Sequence, residues 1–247
     1  MNLSKSWIIA AKDLKVFRRK KNIVFSTIAL PLLISILLPS VVEFAGNRNG
    51  GGGIPAAELP ILLPAFTFFF IIISAPLIAA IASYSLVGEK VEKSLEPLLA
   101  TPTTDGEILL GKSIAAFLPP MASIYVGAAI FMALMDAVTY SKLGYYFFPN
   151  WNIGVILLLL APLAAILSVE VNVIISSRVS DVRAAQQLGV LTALPLGGIY
   201  LASELGLISL DTNNLLIISG VLLLADLLLF YTSAATFRRE EILTKWK

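Results

Sequence analysis

The stretch "PILLPAFTFFFIIISAPLIAAIASYSLV", residues 60–87, contains no charged side chain from one end to the other. It is too long for a β-strand, and its polar positions do not alternate with apolar ones. A helix needs roughly 20 apolar residues to cross the hydrocarbon core of a bilayer, and this stretch exceeds that length. Because a helix satisfies its own backbone hydrogen bonds in lipid, the stretch predicts a membrane-spanning helix.

Five other runs of the chain share this apolar character. The six runs lie at about 22–45, 60–87, 113–138, 153–177, 188–204 and 213–236. The whole chain is 57% hydrophobic and only 14% charged, whereas an average soluble domain carries about 25% charged residues. The sequence therefore predicts an all-α integral membrane protein with six transmembrane helices.

The distribution of basic residues predicts the orientation of these helices. All Lys and Arg residues except Arg48 and Lys142 lie in the N-terminal arm, the second and fourth connections or the C-terminal tail. Positive residues stay cytoplasmic, so both termini are predicted to face the cytoplasm of a multi-pass protein in the cell membrane. The single transmembrane domain, 1–247, is divided into an interfacial arm (1–21), helices 1 and 2 (22–87), a cytoplasmic region (88–112), helices 3–6 (113–236) and a cytoplasmic tail (237–247).

The N-terminal arm "LSKSWIIAAKDLKVFRRKKN" combines basic residues with a regular apolar spacing. The apolar positions at helical spacing are Leu3, Trp7, Ala10, Leu14 and Phe17. This pattern predicts an amphipathic helix that lies in the cytoplasmic membrane interface. The alternative is a positively charged flank of the first span, with no docking role.

The stretch "GEILLGKS", residues 106–113, matches the phosphate-binding pattern G-x-x-x-x-G-K-[ST]. A phosphate loop follows a buried strand, but here Pro97 and Pro102 interrupt the preceding residues. Thr104 and Glu107 instead match a capping box, which predicts the start of a helix. The chain also has no His and no Cys, so the commonest general base and the thiolate ligands are missing. No catalytic, cofactor-binding or metal-binding residues are predicted, and the chain by itself is not expected to be an enzyme.

The cytoplasmic region "GEKVEKSLEPLLATPTTDGEILLGK", 88–112, has an apolar stripe of its own. The stripe consists of Val91, Leu95, Leu98 and Leu99, and charged residues that include Glu89 and Glu96 occupy the other faces. The spacing predicts an amphipathic helix parallel to the membrane, which Pro97 bends or ends. The alternative is a loop that only follows the membrane surface.

This region resembles the hallmark of type-2, exporter-class ABC transporter permeases. The residues that carry the resemblance are Glu89-Lys90, Ser94-Leu95-Glu96, Leu99-Ala100-Thr101-Pro102, Glu107-Ile108 and Gly111-Lys112, together with "SSRVSDVRAAQQLG" at 176–189. The chain departs from the pattern at Lys93, where relatives often carry Gly, and at Pro97, where an apolar residue is more usual.

The resemblance implies that the chain is the membrane half of a split transporter. Two permeases would pair, as a homodimer or a heterodimer, and separate ABC-type ATP-binding subunits that hold ATP and Mg would dock beneath them. The implied coupling residues are Glu89, Val91, Leu95, Glu96, Leu98 and Leu99. The competing hypotheses are an ATP-independent secondary carrier or channel and an intramembrane enzyme.

Two acidic residues lie deep within predicted spans. They are Glu170 in "ILSVEVNVI" and Asp226 in "LLLADLLLF". An acid at the bilayer centre costs about 2.5–3.5 kcal/mol on insertion scales, so it normally faces protein or a cavity. Either acid could line a pathway for a cationic or polar solute, or be a packed acid that is protonated or hydrogen-bonded to a neighbour such as Ser168, Asn172 or Tyr231. The two interpretations are balanced for Asp226, and the packed acid is favoured for Glu170.

Overall fold

A computed structural model describes residues 3–48, 54–89 and 103–236, and in these ranges every regular element is helical. In chain order the helices are α1 (Leu3–Arg19), α2 (Lys21–Arg48), α3 (Leu59–Ile72), α4 (Ser74–Ser83), α5 (Asp105–Leu143), α6 (Trp151–Val155), α7 (Ala161–Arg178), α8 (Val182–Val190), α9 (Ala193–Glu204) and α10 (Thr212–Thr236). A π-helical turn, Tyr84–Gly88, follows α4, and a second, Ile156–Leu160, joins α6 to α7. The all-helical prediction is confirmed for these residues.

Five stretches of the described chain are long and apolar enough to cross a membrane. They are Lys21–Phe44, Leu59–Ser83, Asp105–Leu143, Trp151–Ser176 and Thr212–Thr232. The second and fourth are mostly buried inside the bundle, whereas the first and last expose most of their apolar side chains. For example, Phe68 and Phe70 of α3 are fully buried, but Phe25 of α2 and Leu228 of α10 are exposed. The bundle is therefore built around α3, α4 and α7, with α2 and α10 on the outside.

The predicted fifth span, 188–204, is not one continuous helix. It is divided between α8 and α9 by a turn at Leu191 and Thr192. The Thr192 hydroxyl donates to the Gly189 carbonyl at 2.7 Å, which closes the last turn of α8. Pro195 then lies in the first turn of α9, where its missing N–H costs no helical hydrogen bond. Neither helix alone is long enough to span a bilayer, so the sixth crossing stays a prediction.

The third span begins at Asp105, earlier than the predicted residue 113. The Thr104 side chain accepts from the Glu107 N–H, and the Glu107 carboxylate accepts from the Thr104 N–H, which confirms the predicted capping box. Helix α5 then continues through Pro119 and Pro120 to Leu143, and Gly144 ends it with a φ of 73°. The end of the predicted cytoplasmic region, 105–112, is consequently the first part of this long helix.

Helix α1 packs along the start of α5, and its position decides the geometry of the site. Its buried residues are Ser6, Ile9, Ala10, Asp13 and Phe17. The predicted apolar face is thus only partly correct, because Ala10 and Phe17 are buried whereas Leu3 and Trp7 are exposed. Trp7 retains 54% of its accessible surface, so it is available to a membrane interface in which α1 is predicted to lie.

Candidate functional site

A group of polar residues with a buried centre lies where α1, the Tyr84–Gly88 turn and α5 meet. We call these residues, Lys12, Asp13, Ser85, Glu89 and Lys112, the Lys112 cluster. The Lys112 ammonium is 2.6 Å from Glu89 Oε2, 3.4 Å from Asp13 Oδ2 and 2.8 Å from the Ser85 carbonyl oxygen. Ser85 Oγ donates to Asp13 Oδ2 at 2.6 Å, and Lys12 pairs with Glu89 Oε1 at 2.7 Å. Two lysines and two carboxylates are therefore joined in one network.

The Lys112 side chain is only 1% exposed, so the charges at the centre of this network are screened little by water. Removing one partner from a buried ion pair leaves an uncompensated charge, which is strongly destabilising. The network thus fixes the relative positions of three segments that are far apart in the sequence. Asp13 and Lys112, for instance, are separated by 99 positions.

Local structure explains how the chain brings these groups together. Gly111 has no side chain, and an added Cβ there would lie 2.6 Å from the Ser6 carbonyl oxygen and 2.8 Å from Ile9 Cβ. Only glycine allows α1 to approach α5 this closely at the residue beside Lys112. A second contact places the Lys20 ammonium 4.0 Å from the centre of the Tyr84 ring, a cation–π arrangement that joins the end of α1 to the π-helical turn.

The cluster perturbs the acid–base properties of its outer members. Burial alone would raise the pKa of the Glu89 carboxyl, but the charge of Lys112 and the hydrogen bonds from Lys112 and Lys12 outweigh it and hold this pKa below its ordinary value. Burial alone would lower the pKa of Lys12, but the hydrogen bond to Glu89 and the negative charges of Glu89 and Asp13 raise this pKa above its ordinary value. Glu89 is consequently held in its charged form.

We expect acid to weaken the cluster through Glu89. Because the pKa of Glu89 is depressed in the folded chain, ionised Glu89 contributes stability above its ordinary pKa of about 4.5, and this contribution is lost as the pH falls through the folded value. Thermal unfolding of the wild type and Glu89→Gln, measured between pH 7 and pH 3, should show a stability difference that shrinks below about pH 4.5. A difference that stays constant over this range would contradict the role given to Glu89.

The cluster contains one of the predicted coupling residues, Glu89. The others, Val91, Leu95, Glu96, Leu98 and Leu99, lie outside the described residues. The sequence analysis did not select Lys12, Asp13, Ser85 or Lys112 as site residues. It counted Lys112 only as a cytoplasmic charge, although the Gly-Lys pair at 111–112 was part of the resemblance.

The stretch "GEILLGKS" is helical, and therefore is not a phosphate loop. Gly106 to Ser113 all lie in the first turns of α5, so its backbone N–H groups run along the helix instead of converging on an anion. The lysine that would reach a phosphate is held by Asp13 and Glu89. The helix start that Thr104 and Glu107 predict is therefore what the structure has at this motif.

The two predicted intramembrane acids lie on neighbouring helices. Glu170 of α7 is 7% exposed and Asp226 of α10 is 5% exposed, and α7 and α10 pack against each other. Among the described residues, Glu170 Oε2 and both carboxyl oxygens of Asp226 have no hydrogen-bond partner.

The hydrogen bonds expected for these acids are not formed. The Ser168 hydroxyl donates to the Ala164 carbonyl, the Asn172 amide donates to the Ser168 carbonyl, and Tyr231 is exposed. The predicted hydrogen bonds to these three residues are therefore absent at the buried carboxyl oxygens Glu170 Oε2, Asp226 Oδ1 and Asp226 Oδ2, and a protonated packed acid stays a prediction. Ser168 and Asn172 use their donors within α7, a competition that the sequence does not reveal.

A comparison with protein-family models gives a match over residues 7–245 to the model described as "ABC-2 family transporter protein". The chain belongs to the ABC-2 family. It is thus a permease subunit of an ABC transporter and a multi-pass membrane protein, as the sequence predicts. Such permeases are the translocation component of the transporter. No curated protein matches the chain.

Proposed function

We propose that this ABC-2 permease provides the pathway for ATP-driven export of a solute. A separate ABC-type ATP-binding subunit, which holds ATP and Mg, docks on the 88–112 region and supplies the energy. A second permease copy, identical or related, completes the pathway. Both chain termini face the cytoplasm, on the same side as the docking region.

One observation carries this proposal: ion pairs link Glu89 and Lys112, which lie at the two ends of the docking region, to each other and to α1. Glu89 lies just before residues 90–102 and Lys112 lies after them, and their side chains are 2.6 Å apart. Asp13 and Lys12 connect the same pair to α1. A displacement of residues 90–102 by a partner would therefore act on the end of α4, the start of α5 and the interfacial helix together.

A test of the docking region is the double variant Leu95→Asp/Glu96→Lys. The first change places a charge on the apolar stripe, and the second reverses a charge beside it, so we expect the ATP-binding subunit to be lost from the complex. The tagged permease would be purified gently from its native membrane, and the amount of co-purified ATP-binding subunit measured. Because buried interface anchors are worth about 2 kcal/mol or more, a loss of at least about tenfold is expected.

The chain offers a matched control in the adjacent pair Glu204 and Leu205. Both are exposed at the end of α9, on the side predicted to be external. The double variant Glu204→Lys/Leu205→Asp carries the same chemical changes and should retain the ATP-binding subunit. Retention of this subunit by both double variants would sink the docking assignment. A permease that purifies alone and moves solute in liposomes without ATP would favour the carrier instead.

A further inference from the structure

An apolar groove of about 550 Å³ runs between α5, α7 and α10. This volume is within the range of small-molecule sites, roughly 300–1,000 Å³. The α7 wall is formed by Ile166, Val169, Glu170 and Val173, whose spacing marks one face of the helix. Phe230 of α10 closes another side. Ile166 and Phe230 are also partly exposed on the outside of the bundle, so the groove opens sideways toward the space of the lipid chains.

The position of the groove along the bundle follows from its α5 wall. This wall begins at Gly106, in the first turn of α5, and continues through Leu110 and Ile114 to Phe117. Because the start of α5 is predicted to face the cytoplasm, the groove lies in the cytoplasmic half of the membrane. A solute that enters from the inner leaflet or from the cytoplasm would meet it first.

Glu170 is the one titratable residue among the described residues that line the groove. Its side chain is buried, and its Oε2 has no hydrogen-bond partner within the described part of the chain. A second buried carboxyl, Asp226, lies on the neighbouring helix α10, one helical turn before the groove residue Phe230, and its oxygens also have no hydrogen-bond partner among the described residues. A buried carboxyl without a partner is unfavourable unless a ligand, an ion or water completes it.

A nearby lysine does not fill this role. Lys112 precedes the groove residue Ser113, but its ammonium is held by Asp13, Glu89 and the Ser85 carbonyl. The groove therefore combines an apolar wall with a carboxyl that has no basic partner among the described residues that face it. A neutral apolar ligand would leave this carboxyl without a partner, whereas a cationic group with N–H donors would hydrogen-bond to it and favour its ionised form.

We propose that the groove binds an amphiphilic cation, a molecule with an apolar body and a positively charged nitrogen group that carries an N–H. The N–H donates to Glu170, Asp226 lies on the neighbouring helix, and the apolar body lies between Leu110, Phe117 and Phe230. This inference rests on the proposed function, because it names the class of solute that the permease moves. It also reverses the expectation for Glu170, which was favoured as a packed acid and instead lies on the groove wall.

The proposal is tested by binding to the purified full-length permease in nanodiscs of uncharged lipid. Rhodamine 6G, a lipophilic cation with secondary amines, is titrated and followed by fluorescence polarisation. Glu170→Gln should weaken its binding about tenfold or more, because the charge-assisted hydrogen bond is lost. The neutral probe Nile red should bind the wild type and Glu170→Gln equally.

Two further variants make the result specific. Glu43→Gln removes an exposed acid near the other end of the bundle and should leave rhodamine 6G binding unchanged. Ile114→Trp fills the groove and should weaken the binding of both rhodamine 6G and Nile red. If Glu170→Gln does not fold, the proposal is tested by comparing the affinities of the wild type for a cationic and an anionic probe. Tight binding of the anionic probe 8-anilinonaphthalene-1-sulfonate, equal to that of rhodamine 6G, would overturn the proposal, as would unchanged rhodamine 6G affinity in a folded Glu170→Gln protein.

This assay contains no ATP and no ATP-binding subunit. A negative result would therefore leave ATP-driven export in place and remove only the assignment of the solute class. Conversely, a permease that binds the probes normally but never recruits an ATP-binding subunit would contradict the proposed function. The ligand class assigned to the groove would then be unaffected.

Discussion

Replacing Lys112 with Met is expected to destabilise the permease by about 3–5 kcal/mol and to release α1 from the bundle. The substitution removes the ammonium that lies 3.4 Å from Asp13 Oδ2 and 2.6 Å from Glu89 Oε2, and it leaves Glu89 paired with Lys12 alone. Two carboxylates in a buried space repel, so at least one must take up a proton or move toward water. The simplest movement is a displacement of α1, which carries Asp13.

The chain contains no Cys, so a single introduced thiol reports this displacement without interference. Ala10 lies on the buried face of α1 and is fully buried, so Ala10→Cys should react slowly with a maleimide in an otherwise unchanged chain. Adding Lys112→Met should accelerate the reaction, and a detergent titration should show earlier unfolding. Lys142→Met is the matched control, because Lys142 is an exposed lysine near the other end of the same helix.

Removing the other charges should restore much of the lost stability. In Asp13→Asn/Glu89→Gln/Lys112→Met the only charge left in the network is that of Lys12, whose side chain is 48% exposed and therefore solvated, and replacing a buried ion network is often close to neutral. We expect the triple variant to be more stable than Lys112→Met alone. A triple variant that is less stable than Lys112→Met alone would contradict the explanation of the Lys112 effect by uncompensated charge.

The sequence was sufficient to predict the features that depend on local spacing. The uncharged stretch 60–87 predicted a span, and the structure has α3 and α4 there. Thr104 and Glu107 predicted a helix start because a capping box is a contact between residues three apart, and both of its hydrogen bonds are formed. The family resemblance likewise depended on short motifs at fixed spacing.

The Lys112 cluster could not be predicted in this way. Lys12 and Asp13 lie in a strongly basic arm, where a charge is normally solvated. Lys112 lies in the region 88–112, which was predicted to face the cytoplasm. Nothing in the spacing of either segment shows that residues 99 positions apart face each other. One signal was available: Gly111, beside a lysine at a helix start, is typical of a close approach by another segment.

The break in the fifth apolar segment was not predicted, because the segment is mostly apolar and the contacts of its one Thr depend on the fold. Residues 188–204 contain no basic residue and read as one span, but the Thr192 hydroxyl lies 2.7 Å from the Gly189 carbonyl and 3.3 Å from Ser168 Oγ of α7. These contacts hold the Thr192 side of the turn against α7, whereas Leu191 of the same turn is exposed. Pro195 was the signal for a helix start at this point.

The second large effect is expected at Gly111, where Ala should destabilise the permease by about 1–3 kcal/mol. The added methyl would lie 2.6 Å from the Ser6 carbonyl oxygen and 2.8 Å from Ile9 Cβ, so backbone as well as side chain must give way. The displacement acts on α1 directly and lengthens the contact between Asp13 and Lys112. The measurements are the reactivity of the thiol in Ala10→Cys and the unfolding midpoint in the detergent titration.

Gly220→Ala provides a control with the opposite expected sign. Gly220 lies within α10, and an added Cβ there meets nothing within 4 Å among the described residues. Because Ala is the better helix former, this substitution should leave stability unchanged or raise it by up to about 1 kcal/mol. If Gly111→Ala were as stable as Gly220→Ala and left the thiol introduced by Ala10→Cys protected, α1 would not be held against α5 at Gly111. A faster reaction of that thiol in the Gly111→Ala background alone would instead show that the glycine beside Lys112 allows the interfacial helix to reach the ion network.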